Sequence, residues 1–163
     1  MSGGCSGIPF FTVLMTVYRV IQRQATRSLH CHLKLASTVK LEVARFIEKI
    51  GLEPIILHEQ VNSGMTVIEK IEKYSDVEFG IVLYTPCDLG YVKGKKKEKK
   101  ARARQNVVFE HGYLIGKLGR NNVCALVKGD IELPNDISGI VYIQLDSNGS
   151  WKIPLAKELK LCI

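Results

Sequence analysis

Several common signatures are missing from these 163 residues. The cysteines Cys5, Cys31, Cys87, Cys124 and Cys162 are odd in number and scattered, with no C-x-x-C pair. That excludes a disulfide framework and fits reduced thiols. There is no long hydrophobic run. Ile8 to Ile21 is apolar for only 14 residues and includes Arg19, too short to cross a bilayer. No basic segment precedes it, which argues against a secretory signal. A cytoplasmic protein with no membrane partner is expected. Internal repeats are absent. His30, Cys31 and His32 have no second cluster of ligands elsewhere, so no metal is expected.

A broad basic face is missing as well. The formal charge is +7, yet Lys93 to Arg104 alone holds eight Lys or Arg against one Glu. The remainder is therefore close to neutral. The basic charge belongs to one loop, read as solvated, and a single run without interleaved aromatics gives only nonspecific nucleic-acid affinity.

What is present is an alternation of strands and helices. Val39, Val43, Phe46, Ile47 and Ile50 recur at helical spacing, closed by Gly51. Glu53 to His58 reads as a strand, Thr66 to Tyr74 as a helix, and Phe79 to Thr85 as a strand covered on both faces. Arg104 to Arg120 reads as a helix, Val123 to Val127 and Gly139 to Leu145 as strands, and Trp151 to Leu161 as a last helix. This order predicts an α/β protein, a parallel sheet flanked by helices. Its ligand site is expected beyond the carboxyl ends of the strands. The first third fits less well. Phe10 to Val17 is a good strand but lies about twenty residues before Val39, and Ser28 to Leu33 has poor strand composition. The expected division is an atypical segment over 1–36 and the main domain over 37–163.

The most informative segment is Arg104 to Arg120. It is apolar nearly all round, which predicts burial. Glu110 sits in its middle, on the stripe Val107, Glu110, Leu114, Leu118. Desolvating a carboxylate costs several kcal/mol, on the order of the penalty for a buried ion. Glu110 is thus either neutralised by a partner such as Arg104 or His111, or faces a ligand cleft. Gly112, Gly116 and Gly119 suggest close approach of another backbone or a ligand.

Four stretches carry a family likeness: Leu41 to Gln60, Gly64 to Ser75, Thr85-Pro86-Cys87-Asp88, and Arg104 to Arg120 with its N-V-V-F-E-H-G-Y-L-I-G-K-L-G-R core. Together they resemble the TIR-like domains of bacterial anti-phage effectors of the CBASS and Pycsar systems. The resemblance implies a flavodoxin-like sheet and hydrolysis of NAD to nicotinamide and an ADP-ribose product, with NAD as substrate and no cofactor. It maps the catalytic glutamate onto Glu110. It also implies that the Asn62-Ser63-Gly64 loop closes the site and contacts a second copy, and that a cyclic-nucleotide sensor is fused or encoded separately. Family members run from the first strand into His-Gly-His-Asp, whereas the nearest match here is His30-Cys31-His32-Leu33. His111 stands where Leu is commoner.

The chemistry is self-consistent. Nicotinamide leaves the ribose as a neutral molecule and needs no general acid, unlike the leaving groups of ordinary glycosidases. One carboxylate that binds the ribose and stabilises oxocarbenium character suffices. Arg104 and Asn106, at the start of the helix, are candidates to meet a diphosphate. Asp88 is a candidate acceptor from a ribose hydroxyl and Tyr91 a candidate stacking ring. Ser63 and Gly64 complete the candidate set. The alternative is a catalytically silent nucleotide-binding or scaffolding module of the same fold.

Overall fold

A computed structural model describes residues 12–16, 27–59, 64–74, 76–95, 97–134 and 139–159. Among these residues seven strands and four α-helices follow in chain order: β1 (Thr12–Thr16), α1 (Arg27–Lys49), β2 (Glu53–Ile56), α2 (Val67–Tyr74), β3 (Phe79–Tyr84), β4 (Asp88–Gly90), β5 (Lys100–Arg102), α3 (Gln105–Leu118), β6 (Val123–Lys128), β7 (Val141–Leu145) and α4 (Lys152–Glu158). Five strands form one sheet in the order β2-β1-β3-β6-β7. Every pairing in it is parallel. This is the parallel sheet expected from the alternation of elements, in the flavodoxin-like order that the family resemblance implies.

The sheet follows from residue alternation. On one face Phe79, Ile81 and Leu83 of β3, Cys124 and Leu126 of β6, and Ile143 and Leu145 of β7 pack under Val39, Val43 and Ile47 of α1 and Leu155 of α4. On the other, Val82 and Tyr84, with Val123, Ala125 and Val127, pack under Ile71 of α2 and Val107 and Leu114 of α3. All six residues of β3 are buried, as a strand covered on both faces requires. α3 lies close on the sheet at Gly80. A Cβ there would stand 3.3 Å from Leu118 Cδ1 and 3.4 Å from Leu114 Cδ1. α2 opens with a capping box. The Thr66 amide donates to Glu69 Oε2 at 2.6 Å, and the Glu69 amide donates to Thr66 Oγ1 at 3.3 Å.

The first strand is internal, between β2 and β3, one place from the sheet's centre. Of the two candidates, the Phe10 to Val17 run supplies β1, with Thr12 beside Glu53 and Val13 beside Phe79. Ser28 to Leu33 instead lies within α1, which runs unbroken from Arg27 to Lys49 and so passes through position 36. Leu, Lys, Arg and Ala favour helix there, with no Gly or Pro to stop it. Lys40 Nζ meets Glu59 Oε1 at 2.7 Å, just past the carboxyl end of β2. The turns of α1 that precede Lys40 therefore continue beyond that edge of the sheet.

Two further expectations are corrected. The lysine-rich stretch is not wholly loop: β4 and β5 pair antiparallel, Asp88 with Arg102 and Gly90 with Lys100. α3 is not buried all round, because it contacts the sheet on one side only. Val107, Glu110, His111 and Leu114 are buried, while Phe109, Gly112 and Gly116 are exposed. Gly112 and Gly116 have nothing within 4 Å of an added Cβ. The close approach they were expected to permit occurs at Gly80.

Candidate functional site

The carboxyl edge of the sheet gathers the turn after β2, the Thr85–Cys87 segment, the β4–β5 hairpin and the start of α3. The hairpin is anchored there. Glu132, which follows β6, bridges to Arg102 and donates its amide to Ala101 O at 2.7 Å. Arg102 lies across Gly90, where a Cβ would come within 2.8 Å of its Cδ. A shallow cleft of about 360 Å³ runs between Arg102, Gln105 and Val108 on one side and Glu132 to Pro134 on the other.

α3 enters this edge through Arg104, whose extended backbone (φ −61°, ψ 147°) forms the N-cap without a side-chain bond. The Arg104 carbonyl accepts from the Val107 and Val108 amides at 2.9 and 3.4 Å. Glu110 follows in the second turn, on the sheet side, with 1% of its surface exposed. Its Oε2 has no hydrogen-bond partner among the described residues. Among the described residues neither Arg104 nor His111 pairs with it. Burial alone lifts its carboxyl from 4.5 to about 8.

His111, fully buried, turns away to Tyr84, whose phenolic oxygen lies 2.9 Å from Nδ1. Burial lowers His111 from 6.5 to about 4, which keeps it neutral. Burial raises Tyr84 well above an ordinary phenol, so the phenol keeps its proton and is the natural donor to Nδ1. That leaves the His111 proton on Nε2, which has no partner. Tyr142 packs edge-on against both rings, at 6.1 and 6.3 Å between centroids, and its buried hydroxyl is also unpartnered. Three orphaned polar atoms thus lie on or under the buried side of α3. Unsatisfied buried groups of this kind cost about 1–3 kcal/mol each.

The other candidate residues divide by position. Arg104 and Asn106 share the first turn of α3 with Glu110 one turn further on, Arg104 half-buried and Asn106 exposed. Asp88, half-buried, sits at the hairpin base opposite Arg102. Tyr91 lies further out along the hairpin, exposed. Among the described residues no hydrogen bond or ion pair joins these side chains to Glu110. Gly64 is exposed with φ +73°, and Asn62 and Ser63 lie outside the described residues. His30 to Leu33 are in the first turns of α1, not in the segment that directly follows β1. Sequence reasoning passed over two features. The Tyr84–His111 contact spans 27 positions and leaves no local signal. The hairpin had one, in Gly94 (φ +89°) between two extended runs.

Among the described residues no helix is long and apolar enough to cross a membrane. None of their His, Cys, Asp and Glu side chains form a group of three or more able to hold a metal ion.

Comparison with known proteins matches residues 30–147 to the family "CAP12/Pycsar effector protein, TIR domain". An uncharacterized Escherichia coli K12 protein, YuaY, is 52% identical over 72% of this chain, which covers 39% of that relative. The protein tirC of Dictyostelium discoideum is 42% identical over 64% of this chain and 57% of its own length. A CD-NTase-associated protein 12 from Flavobacterium daejeonense is 31% identical over 56% of this chain and 27% of its own. The chain thus spans between 27% and 57% of the length of these relatives. The family match spans the helix that holds Glu110 and shows that the chain belongs to the TIR domains of the CAP12/Pycsar effector family.

Proposed function

We propose that this domain is an NAD nucleosidase that releases nicotinamide from NAD and leaves an ADP-ribose product, as an anti-phage effector. The observation that carries the reading is Glu110: a carboxylate buried to 1% exposure with Oε2 unpartnered, in the second turn of the helix that starts at the sheet's ligand edge. A buried carboxyl without a protein partner is costly. A ribosyl cation that forms as neutral nicotinamide departs supplies the missing counter-charge, and the stabilisation is largest in the transition state. In this reading Arg104 and Asn106 meet the diphosphate at the start of α3, Asp88 accepts from a ribose hydroxyl, and Tyr91 stacks on a ring. Ser63 and Gly64 belong to the loop that contacts a second copy, and no cofactor takes part. Activation comes from self-association or from a cyclic-nucleotide sensor, fused or separate. The name of the CD-NTase-associated relatives favours the second route.

One observation favours a second reading, a nucleotide-binding module without turnover. His30 to Leu33 sit within α1, so the His-Gly-His-Asp that follows β1 in related domains has no counterpart after Thr16. The deciding experiment is nicotinamide release from NAD by concentrated protein, beside a folded Glu110→Ala control and a direct NAD-binding measurement. Release by the wild type alone supports the nucleosidase. NAD binding without release, from folded protein with activators supplied, supports the silent module.

A further inference from the structure

The proposed reaction uses Tyr91 and Arg104 but gives no task to the lysines between them, nor to the exposed Leu89 and Val92. Leu89, Tyr91 and Val92 are 63%, 49% and 70% exposed. They fall within four consecutive positions, whereas the other large exposed hydrophobics, Leu41, Ile68, Phe109 and Ile153, are far apart in the chain. Lys93, Lys95, Lys97, Lys99 and Lys100 follow at once, all exposed. Among the described residues an ion pair is formed by Lys95 alone of these, with Glu98 at 3.3 Å. The display has a fixed base: β4 and β5 pair, Glu132 bonds the outer side of β5, and Arg102 covers Gly90 on the inner side. Exposed apolar side chains and exposed lysines therefore share one anchored hairpin.

We propose that the β4–β5 hairpin docks on an anionic bilayer surface, with Leu89 and Val92 entering the headgroup region while the lysines meet anionic headgroups. Charge complementarity selects an anionic partner, and the aliphatic side chains select lipid over nucleic acid. A phosphate backbone would leave Leu89 and Val92 in water, and the segment has one aromatic where single-strand binders use several for stacking. A modest apolar anchor combined with a polybasic patch is the pairing that holds proteins at membrane surfaces. The expectation of no membrane partner rested on the lack of a span, and surface docking requires none.

The test is co-sedimentation of the full chain with phosphatidylcholine vesicles, with and without phosphatidylglycerol, at low and physiological salt. Binding is expected to anionic vesicles only, and to weaken with salt. Lys97→Glu/Lys99→Glu should lower the partition coefficient more than about tenfold, since each lysine near an anionic surface contributes about 1 kcal/mol. Leu89→Ser/Val92→Ser should also lower it. All four positions are exposed, and circular dichroism confirms the fold of each variant. No binding to anionic vesicles at low salt would overturn the proposal, as would equal binding to neutral vesicles or full binding by the serine variant. Binding to RNA or DNA with none to vesicles would assign the hairpin to nucleic acid and overturn it too.

Discussion

Tyr84 and His111, 27 positions apart, are joined by a buried contact of 2.9 Å that ties the end of the central strand β3 to the second turn of α3. It fixes the turn that carries Glu110. Removing either partner leaves the other buried without a bond, at about 1–3 kcal/mol. Tyr84→Phe and His111→Leu should each destabilise the fold by about that much. The double variant should lose clearly less than the sum. Urea unfolding of all four proteins in a double-mutant cycle measures the coupling, and additive losses would show that the contact contributes nothing.

The same helix sets a pH dependence of stability. Glu110, raised from 4.5 to about 8 by burial, keeps a proton in the folded chain that the unfolded chain releases. Stability from this group therefore falls as pH rises between those values. His111, lowered from 6.5 to about 4, acts in reverse and stability is lost as pH falls below 6.5. The two oppose each other between about 4.5 and 6.5, so the net loss appears from about 6.5 to 8. Glu110→Gln should be more stable than wild type at pH 8, with the gap closing below pH 5. Parallel stability curves would contradict the burial of a titrating Glu110.

The glycines separate by what surrounds them. Gly80→Val should cost about 1–3 kcal/mol, because its side chain would press on Leu114 and Leu118. Gly112→Ala and Gly116→Ala, in open space on a helix, should each stabilise by about 0.5–1 kcal/mol. Thermal melts of the three variants give the signs directly.

These contrasts show what the sequence could and could not convey. The buried strand β3 and the placement of Glu110 on the covered side of α3 were legible, because period-2 and period-3.6 patterns are local. The meaning of Gly112 and Gly116 was not. A glycine in a helix reads the same whether its Cα faces a neighbour or water. β1 was visible as an apolar run, but its internal place depends on pairing with Glu53 and Phe79, some forty and sixty-five residues away. The start of α1 was hidden because Leu29, Cys31, Leu33 and Leu35 alternate with polar residues at the period of a strand, not of a helix. The Tyr84–His111 contact is wholly tertiary. Glu110 was singled out for its cost in an apolar helix, yet only the structure shows that neither Arg104 nor His111 neutralises it.

If ionised Glu110 stabilises the departing ribosyl cation, kcat/KM for NAD should rise about tenfold per pH unit and level off near 8, since this ratio reports the free enzyme's ionisations. A flat profile from pH 6 to 9 would remove the Glu110 carboxylate from the rate-limiting step.

The most direct measurement compares nicotinamide release by the wild type and by Glu110→Gln, which keeps the shape and hydrogen-bonding length of the side chain but not its charge. Both proteins should fold and bind NAD. Release by the variant should be slower by about a hundredfold or more, the scale lost with a principal electrostatic stabiliser. Release within about threefold of the wild type would contradict the account, because the Glu110 charge would then have no part in breaking the bond.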